Sequence, residues 1–140
     1  MKLKQKLQSV LLIDDDEVTN YIHGIIIKQT DCVENVVAVE SGFEALEYLQ
    51  TEVEGKYPNP DIIFLDINMP GMNGWEFLKA YENLPLACRA KFVFIMMTTN
   101  LSKFDKEAAK ELTSIDAYKN KPMNEEMLHS LIAEYFPHHL

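Results

Sequence analysis

The sequence predicts an α/β protein: a parallel sheet with helices on both faces. Three observations predict it. Short apolar runs alternate five times with segments of helical periodicity, the pattern of repeated β-α units. The runs do not alternate apolar with polar, so they read as strands buried on both faces. At 140 residues, with no internal repeat and no long linker, the chain is one domain with length enough for a sizeable core.

The first strand is Val10–Ile13, preceded by a stretch bearing Lys2, Lys4 and Lys6. Asp16 then caps a helix with Val18, Ile22, Ile25 and Ile26 on one apolar stripe, the stripe such a helix turns toward a core. Val36–Val39 is the second strand. Ser41 and Glu44 have the spacing of a capping box, and the helix they open carries Phe43, Leu46 and Leu49 on its stripe. EGKYPNP, from Glu54 to Pro60, is a loop by its glycine and prolines. Ile62–Leu65 is the third strand, bracketed by Asp61 and Asp66, with Asp61 read as no more than a strand start. MPGMNG, Met69 to Gly74, is a turn leading into a helix with Trp75, Leu78 and Tyr81, ended by Pro85. Phe92–Met97 is the fourth and longest run, with Met96 and Met97 as core fillers. Ser102 with Asp105 opens a helix reaching about Leu112. Ile115–Tyr118 is a short fifth strand. Asn124 caps the last helix, whose stripe is Met127/Leu128, Leu131/Ile132 and Tyr135.

Composition excludes several functions. Lys plus Arg is 13 against 22 for Asp plus Glu, a net charge of −9, which is poorly suited to gripping phosphate backbones; no nucleic-acid partner is expected. No stretch approaches the ~20 apolar residues of a membrane span. The apolar run after the N-terminal lysines is too short for a signal peptide, so a cytoplasmic location is expected. Cys32 and Cys88 lack metal-ligand spacing and read as reduced thiols. His138 and His139 read as a mobile tail, and His23 and His129 as helix residues without a ligand partner.

In open parallel sheets, chemistry collects beyond the carboxyl ends of the strands. Asp14, Asp15 and Asp16 follow the first strand, Asp66 the third, Thr98 and Thr99 the fourth, and Lys121 lies after the fifth. Clustered carboxylates repel and raise one another's pKa. A hard divalent cation such as Mg²⁺, which takes oxygen ligands, would offset that repulsion. Thr98 can donate a hydrogen bond to a phosphoryl oxygen, and Lys121 can pair with a carboxylate at rest and a phosphoryl oxygen later. The edge suits phosphoryl transfer onto an aspartate, driven by positioning and charge neutralisation.

IDDDE, FLDINMPGMNG, FIMMTT and AYKNKP, in this order and spacing, resemble the receiver domain of two-component response regulators. The resemblance covers about Val10 to Phe136 and implies a single receiver domain over residues 1–140, with its core at about 10–136. It implies a five-stranded sheet of order 2-1-3-4-5, the flavodoxin-like doubly wound (βα)5 arrangement. It also implies site roles. Asp66 would be the phosphoacceptor. Asp15 would ligate Mg²⁺ directly, together with Asp66 and the backbone carbonyl of Asn68, and Asp14 would help through water or as a second ligand. Thr98 and Lys121 would bind the phosphoryl oxygens, and Tyr118 would change rotamer on phosphorylation. Helix four, strand five and helix five would carry the change to a partner.

The implied partners are a histidine kinase or histidine phosphotransfer protein and a downstream protein the sequence does not name; some receivers also form homodimers through the same face. Such a protein is a signalling switch and not an enzyme, although it assists its own phosphorylation and dephosphorylation. No output domain follows the receiver, so it is expected to act by protein contact or to relay phosphate. Three features depart from or vary within the family pattern. Thr99 stands where a smaller residue is usual, Asn68 and Asn100 stand where dephosphorylation is tuned, and the polar Lys119 and Asn120 stand where apolar residues are commoner, which implies that strand five is short or bent.

A second reading is a haloacid-dehalogenase-type phosphatase. IDDDEV fits its opening D-x-D-x-V, with Asp14 as nucleophile and Asp16 as acid/base; FIMMTT resembles its second motif and Lys121 its third. Only Glu125 and Glu126 follow where a further acidic metal motif is needed, and DINMPGMNG is left unexplained. A receiver fold that binds partners without phosphorylation is a third reading, which nothing favours because all the key side chains are present.

Overall fold

The computed structural model describes residues 1–140. Its strands are β1 (Leu7–Ile13), β2 (Val33–Val39), β3 (Ile62–Asp66), β4 (Phe92–Met97) and β5 (Ala117–Asn120). Its helices are α1 (Glu17–Thr30), α2 (Gly42–Leu49), α3 (Gly74–Tyr81), α4 (Lys103–Lys110) and α5 (Glu125–Tyr135), with short 3-10 turns at Leu86–Cys88 and Pro137–His139. All strand pairs are parallel and the order is β2-β1-β3-β4-β5. This is the predicted flavodoxin-like sheet.

Alternate residues of each central strand feed two separate cores. Val10, Leu12 and Phe64 pack with Ile27 of α1 and Leu128, Leu131 and Ile132 of α5 on one face. Leu11, Ile13 and Leu65 pack with α2 and α3 on the other, joined by Ala108 and Ala109 of α4. Double-sided burial is why these strands read as unbroken apolar runs.

Several boundaries differ from those predicted. β1 starts at Leu7 and β2 at Val33, three residues earlier than their apolar runs, because Leu7 pairs with Val33 and Ser9 with Asn35. Asp61 is more than a strand start: it is buried, accepts from the N–H groups of Gln8 (2.6 Å) and Ser9 (3.3 Å), and pairs with Lys91 (2.9 Å). β5 is displaced two residues onward, so Lys119 and Asn120 lie within it. The reason is Asp116, whose backbone N–H donates to Val93 O (2.9 Å) while its carboxylate accepts from Val93 N–H (2.8 Å); regular pairing begins only after it, with Phe94 opposite Ala117. α4 stops at Lys110, two residues short of Leu112.

The apolar stripe predicted to face the core on α1 faces solvent. Val18 is 63% exposed, Tyr21 70%, Ile22 46% and Ile25 38%; the helix buries Asn20, His23 and Ile27, about half a turn round, with Ile26 partly covered. Hydrogen bonding decides this. Asn20 Nδ2 donates to Asp14 O (2.9 Å) and Val39 O (3.2 Å), and His23 Nε2 accepts from Met123 N–H (3.4 Å). Buried backbone groups at strand ends need such partners, and these two polar side chains supply them. On α2, Phe43 is likewise exposed, while Gly42, Ala45 and Leu49 are buried. Gly42 packs closely on α3 and its approach: a Cβ there would come within 2.6 Å of Met72 Sδ, which would have to shift, and 3.3 Å of Phe77 Cβ.

The expected mobile C-terminal tail is instead pinned. His139 is buried; its carbonyl accepts from Lys4 N–H (2.7 Å) and its Nδ1 lies 2.8 Å from Gln5 O.

Gly74 sets how closely α3 approaches β3. Its N–H donates to Ile67 O (2.8 Å), and a Cβ would sit 2.8 Å from Ile67 Cα and 3.0 Å from Asp66 O. The neighbours are backbone and cannot swing aside. Gly74→Ala is therefore expected to lower unfolding free energy by about 1–3 kcal/mol in urea denaturation. Unchanged stability would show that the approach is looser than described.

Candidate functional site

Three strand ends meet at the carboxyl edge of the sheet. β1 runs into Asp14, which is buried, and Asp15, which is exposed. β3 ends in Asp66, also buried. β5 leads to Lys121, whose N–H donates to Met97 O (2.7 Å) and whose peptide to Pro122 is cis. The ammonium of Lys121 lies between two carboxylates, 2.6 Å from Asp14 Oδ2 and 3.2 Å from Asp66 Oδ1. Asp14 Oδ1 accepts from Asp16 N–H (2.9 Å), so both Asp14 oxygens are engaged. Asp14, Asp15 and Asp66 each offer an oxygen within 4.8 Å of the others.

Asp66 holds its proton unusually well, with a pKa raised to about 6. Burial is the main cause, followed by the negative charge of Asp14; Lys121 works against both. Lys121 is itself raised: burial pulls its pKa down, but the hydrogen bond to Asp14 and the charge of Asp66 outweigh that. Three carboxylates face one ammonium, leaving surplus negative charge in a recess of hard oxygen donors. That donor set fits a divalent cation such as Mg²⁺ and fits soft metals poorly.

On the far side of Asp66, a small pocket is lined by Asn68, Thr98, Thr99, Asn100 and Leu101. The structure thus brings together Asp14, Asp15, Asp66 and Lys121, and sets Asn68, Thr98, Thr99 and Asn100 beside Asp66. Tyr118 lies opposite Ile95 on β5, more than a third exposed, and does not line the pocket.

Sequence reasoning missed one anchor of this pocket. Trp75 Nε1 on α3 donates to Asp105 Oδ1 (2.9 Å), and Asp105 Oδ2 accepts from Ser102 N–H (3.0 Å) and Oγ (2.9 Å). Asp105 was recognisable as a helix cap and Trp75 as a core residue, but nothing in the spacing joins two side chains 30 positions apart.

The phosphatase reading gains no support. Asp16, its acid/base, is the N-cap of α1, accepting from Val18 N–H (3.1 Å) and Thr19 Oγ (2.7 Å). The Thr19 bond, foremost, holds its pKa below the usual value. Asp14, its nucleophile, has both oxygens hydrogen-bonded. Glu125 and Glu126 are exposed in the first turn of α5.

A parallel sheet of this order, with an acidic cluster and a lysine at its carboxyl edge, defines the receiver class. The family model for the response regulator receiver domain matches residues 10–133, and the chain belongs to that family, a signalling domain of two-component systems. Protein PilG of Pseudomonas aeruginosa is 30% identical to it, over 91% of this chain and 87% of its own. A two-component response regulator of Cytophaga hutchinsonii is 31% identical, with a TM-score of 0.75 over 95% of this chain and 99% of that one. The receiver domain of a sensor histidine kinase of P. aeruginosa, 17% identical, shares the fold (TM-score 0.74, over 93% and 98% of the two chains), and its structure holds a magnesium ion in the active-site cleft. The chain spans 33% or less of the length of the first curated relatives it matches. No helix is long and apolar enough to cross a membrane.

The raised pKa of Asp66 makes a sign-specific prediction. Its folded value of about 6 exceeds the unfolded value near 3.9. The stability it contributes is therefore full at low pH and is lost as pH rises through 6. In metal-free buffer, Asp66→Asn should be more stable than the parent at neutral pH by about 2–3 kcal/mol, with the gap closing near pH ~4. A gap that does not change with pH would contradict the assignment.

Proposed function

We propose that the chain is a phospho-accepting response regulator, with Asp66 as the acceptor. The observation that carries this reading is the Lys121 ammonium bridging Asp14 and Asp66 beside the Asp15 carboxylate. In the transfer, the phosphorus–nitrogen bond of a phosphohistidine breaks as a bond from phosphorus to an Asp66 carboxylate oxygen forms. The donor is a histidine kinase or a histidine phosphotransfer protein.

Mg²⁺ would be held by Asp15, Asp66 and the backbone carbonyl of Asn68, with Asp14 helping through water or as a second ligand because its oxygens are already engaged. Bound there, it supplies positive charge against the phosphoryl oxygens. Lys121 exchanges its resting contact with Asp66 for a phosphoryl oxygen, and the Thr98 hydroxyl donates to another. Thr99, Asn68 and Asn100 border the pocket and govern access and phosphoryl lifetime. Tyr118 follows Thr98 by changing rotamer. The face formed by α4, β5 and α5 then reads the state to a protein partner. α4 suits that role because none of its residues is fully buried, so shifting it breaks little packing. The protein acts in the cytoplasm as a signalling switch, through protein contact or phosphorelay.

Acetyl phosphate with Mg²⁺ should label Asp66, located by mass spectrometry of peptides. Chelation should abolish labelling, Asp66→Asn should abolish it with the fold intact, and Lys121→Ala should slow it roughly 10²–10³-fold. Label on Asp14 would favour the phosphatase instead. If neither acetyl phosphate nor a phosphohistidine donor labels the protein, the proposal fails.

A further inference from the structure

α1 turns two polar side chains inward, and both end on the segments that carry the Asp14–Lys121 ion pair. Asn20 and His23, three positions apart on one face of the helix, are both buried. Asn20 Nδ2 holds the carbonyl of Asp14 (2.9 Å), one partner of the pair. His23 reaches the segment of the other. Lys121 is fixed at its own N–H, which donates to Met97 O (2.7 Å). Pro122 has no N–H to give, so the first backbone donor after Lys121 belongs to Met123. That N–H donates to His23 Nε2 (3.4 Å).

An imidazole nitrogen that accepts a hydrogen bond is unprotonated, so the ring is neutral and carries its hydrogen on Nδ1. Burial, foremost, and the charge of Lys121 hold its pKa below the usual histidine value, which keeps the acceptor in place. An apolar side chain at position 23 would suit the inner face of a helix, but it would leave the Met123 N–H buried without a partner.

We infer that His23 is a positioning residue for phosphoryl transfer: by holding the Lys121–Met123 segment against α1, it keeps the Lys121 ammonium at Asp14 and Asp66. The inference rests on the reading of Asp66 as phosphoacceptor. One helix then sets both ends of the ion pair, Asp14 through Asn20 and Lys121 through His23. The lysine side chain is long and flexible, so fixing its backbone on both sides is what narrows its reach. Loosening it has effects of opposite sign on the charges it faces. A phosphoryl group loses a counter-charge, and transfer slows. A divalent cation loses a competing positive charge beside Asp14, Asp15 and Asp66, and binds more tightly. General damage to the site would weaken both.

His23→Phe removes the acceptor and keeps a ring. His23→Leu removes it with less bulk, in case the larger ring disturbs packing. His23→Gln places an amide oxygen as many bonds from Cα as Nε2 and restores the acceptor. Circular dichroism reports the fold of each. With acetyl phosphate and Mg²⁺, His23→Phe and His23→Leu should label Asp66 about tenfold more slowly than the parent, and His23→Gln within about twofold of it. In calorimetric titration with Mg²⁺ alone, Lys121→Ala should bind roughly tenfold more tightly than the parent, His23→Phe and His23→Leu about threefold more tightly, and His23→Gln like the parent. Three results overturn the inference: labelling by His23→Phe and His23→Leu at the parent rate, Mg²⁺ binding weakened alongside slower labelling, or His23→Gln as slow as His23→Phe. Should the parent itself go unlabelled, the assignment of Asp66 fails, and the Mg²⁺ comparison still decides on His23 because it needs no phosphodonor.

Discussion

The Lys121 ammonium, held between the buried carboxylates of Asp14 and Asp66, is the contact around which the carboxyl edge is built. Taking three such charges out of water is costly unless their geometry is good and their remaining hydrogen bonds are met. Each member belongs to a different strand end, so the contact exists only if β1, β3 and β5 come together in the observed order. Parallel pairing through β4 spaces the outer two correctly. The extra negative charge of Asp15 keeps the cluster short of neutrality, which leaves the site receptive to a further cation.

The surrounding helices serve that edge in polar as well as apolar ways. Asn20 ties the Asp14 carbonyl to the end of β2, and His23 receives the Met123 N–H just beyond Lys121. Gly74 lets α3 sit against the backbone of Asp66 and Ile67. Trp75 reaches across to Asp105 at the head of α4, so the segment carrying Thr98 is anchored at both ends although its own residues are exposed. Within the site, Asp14 and Asp66 are buried, whereas Thr98, Thr99 and Asn100 of the β4–α4 connection are exposed.

Strands were the most legible elements, because burial on both faces leaves a run of Val, Ile, Leu and Phe that little else imitates. Asp14, Asp66 and Thr98 were legible for a related reason: each follows directly on such a run, whereas Lys121 comes after the polar Lys119 and Asn120 and was singled out by the resemblance. α1 was misread because a stripe of Val18, Ile22 and Ile25 has the periodicity of a core face, whereas the true inner face carries Asn20 and His23. Periodicity reports where apolar side chains lie, not which face satisfies the strand-end backbone. Asp61 and Asp116 were opaque for a similar reason. Each serves backbone groups of strands far away in sequence, and no local pattern signals that. The Trp75–Asp105 bond depends on how α3 and α4 pack, which local sequence does not encode.

The hydrogen bonds from Lys4 and Gln5 to His139 bring the first and last ordered segments side by side, at the end of the sheet remote from Asp66. A module closed in this way can be spliced into a host loop as readily as joined end to end, since entry and exit points coincide. By the same geometry, a short linker could join the two ends and the EGKYPNP loop be cut to supply new ones. Such a rewired chain would keep every strand neighbour while changing only the order in which the strands are made.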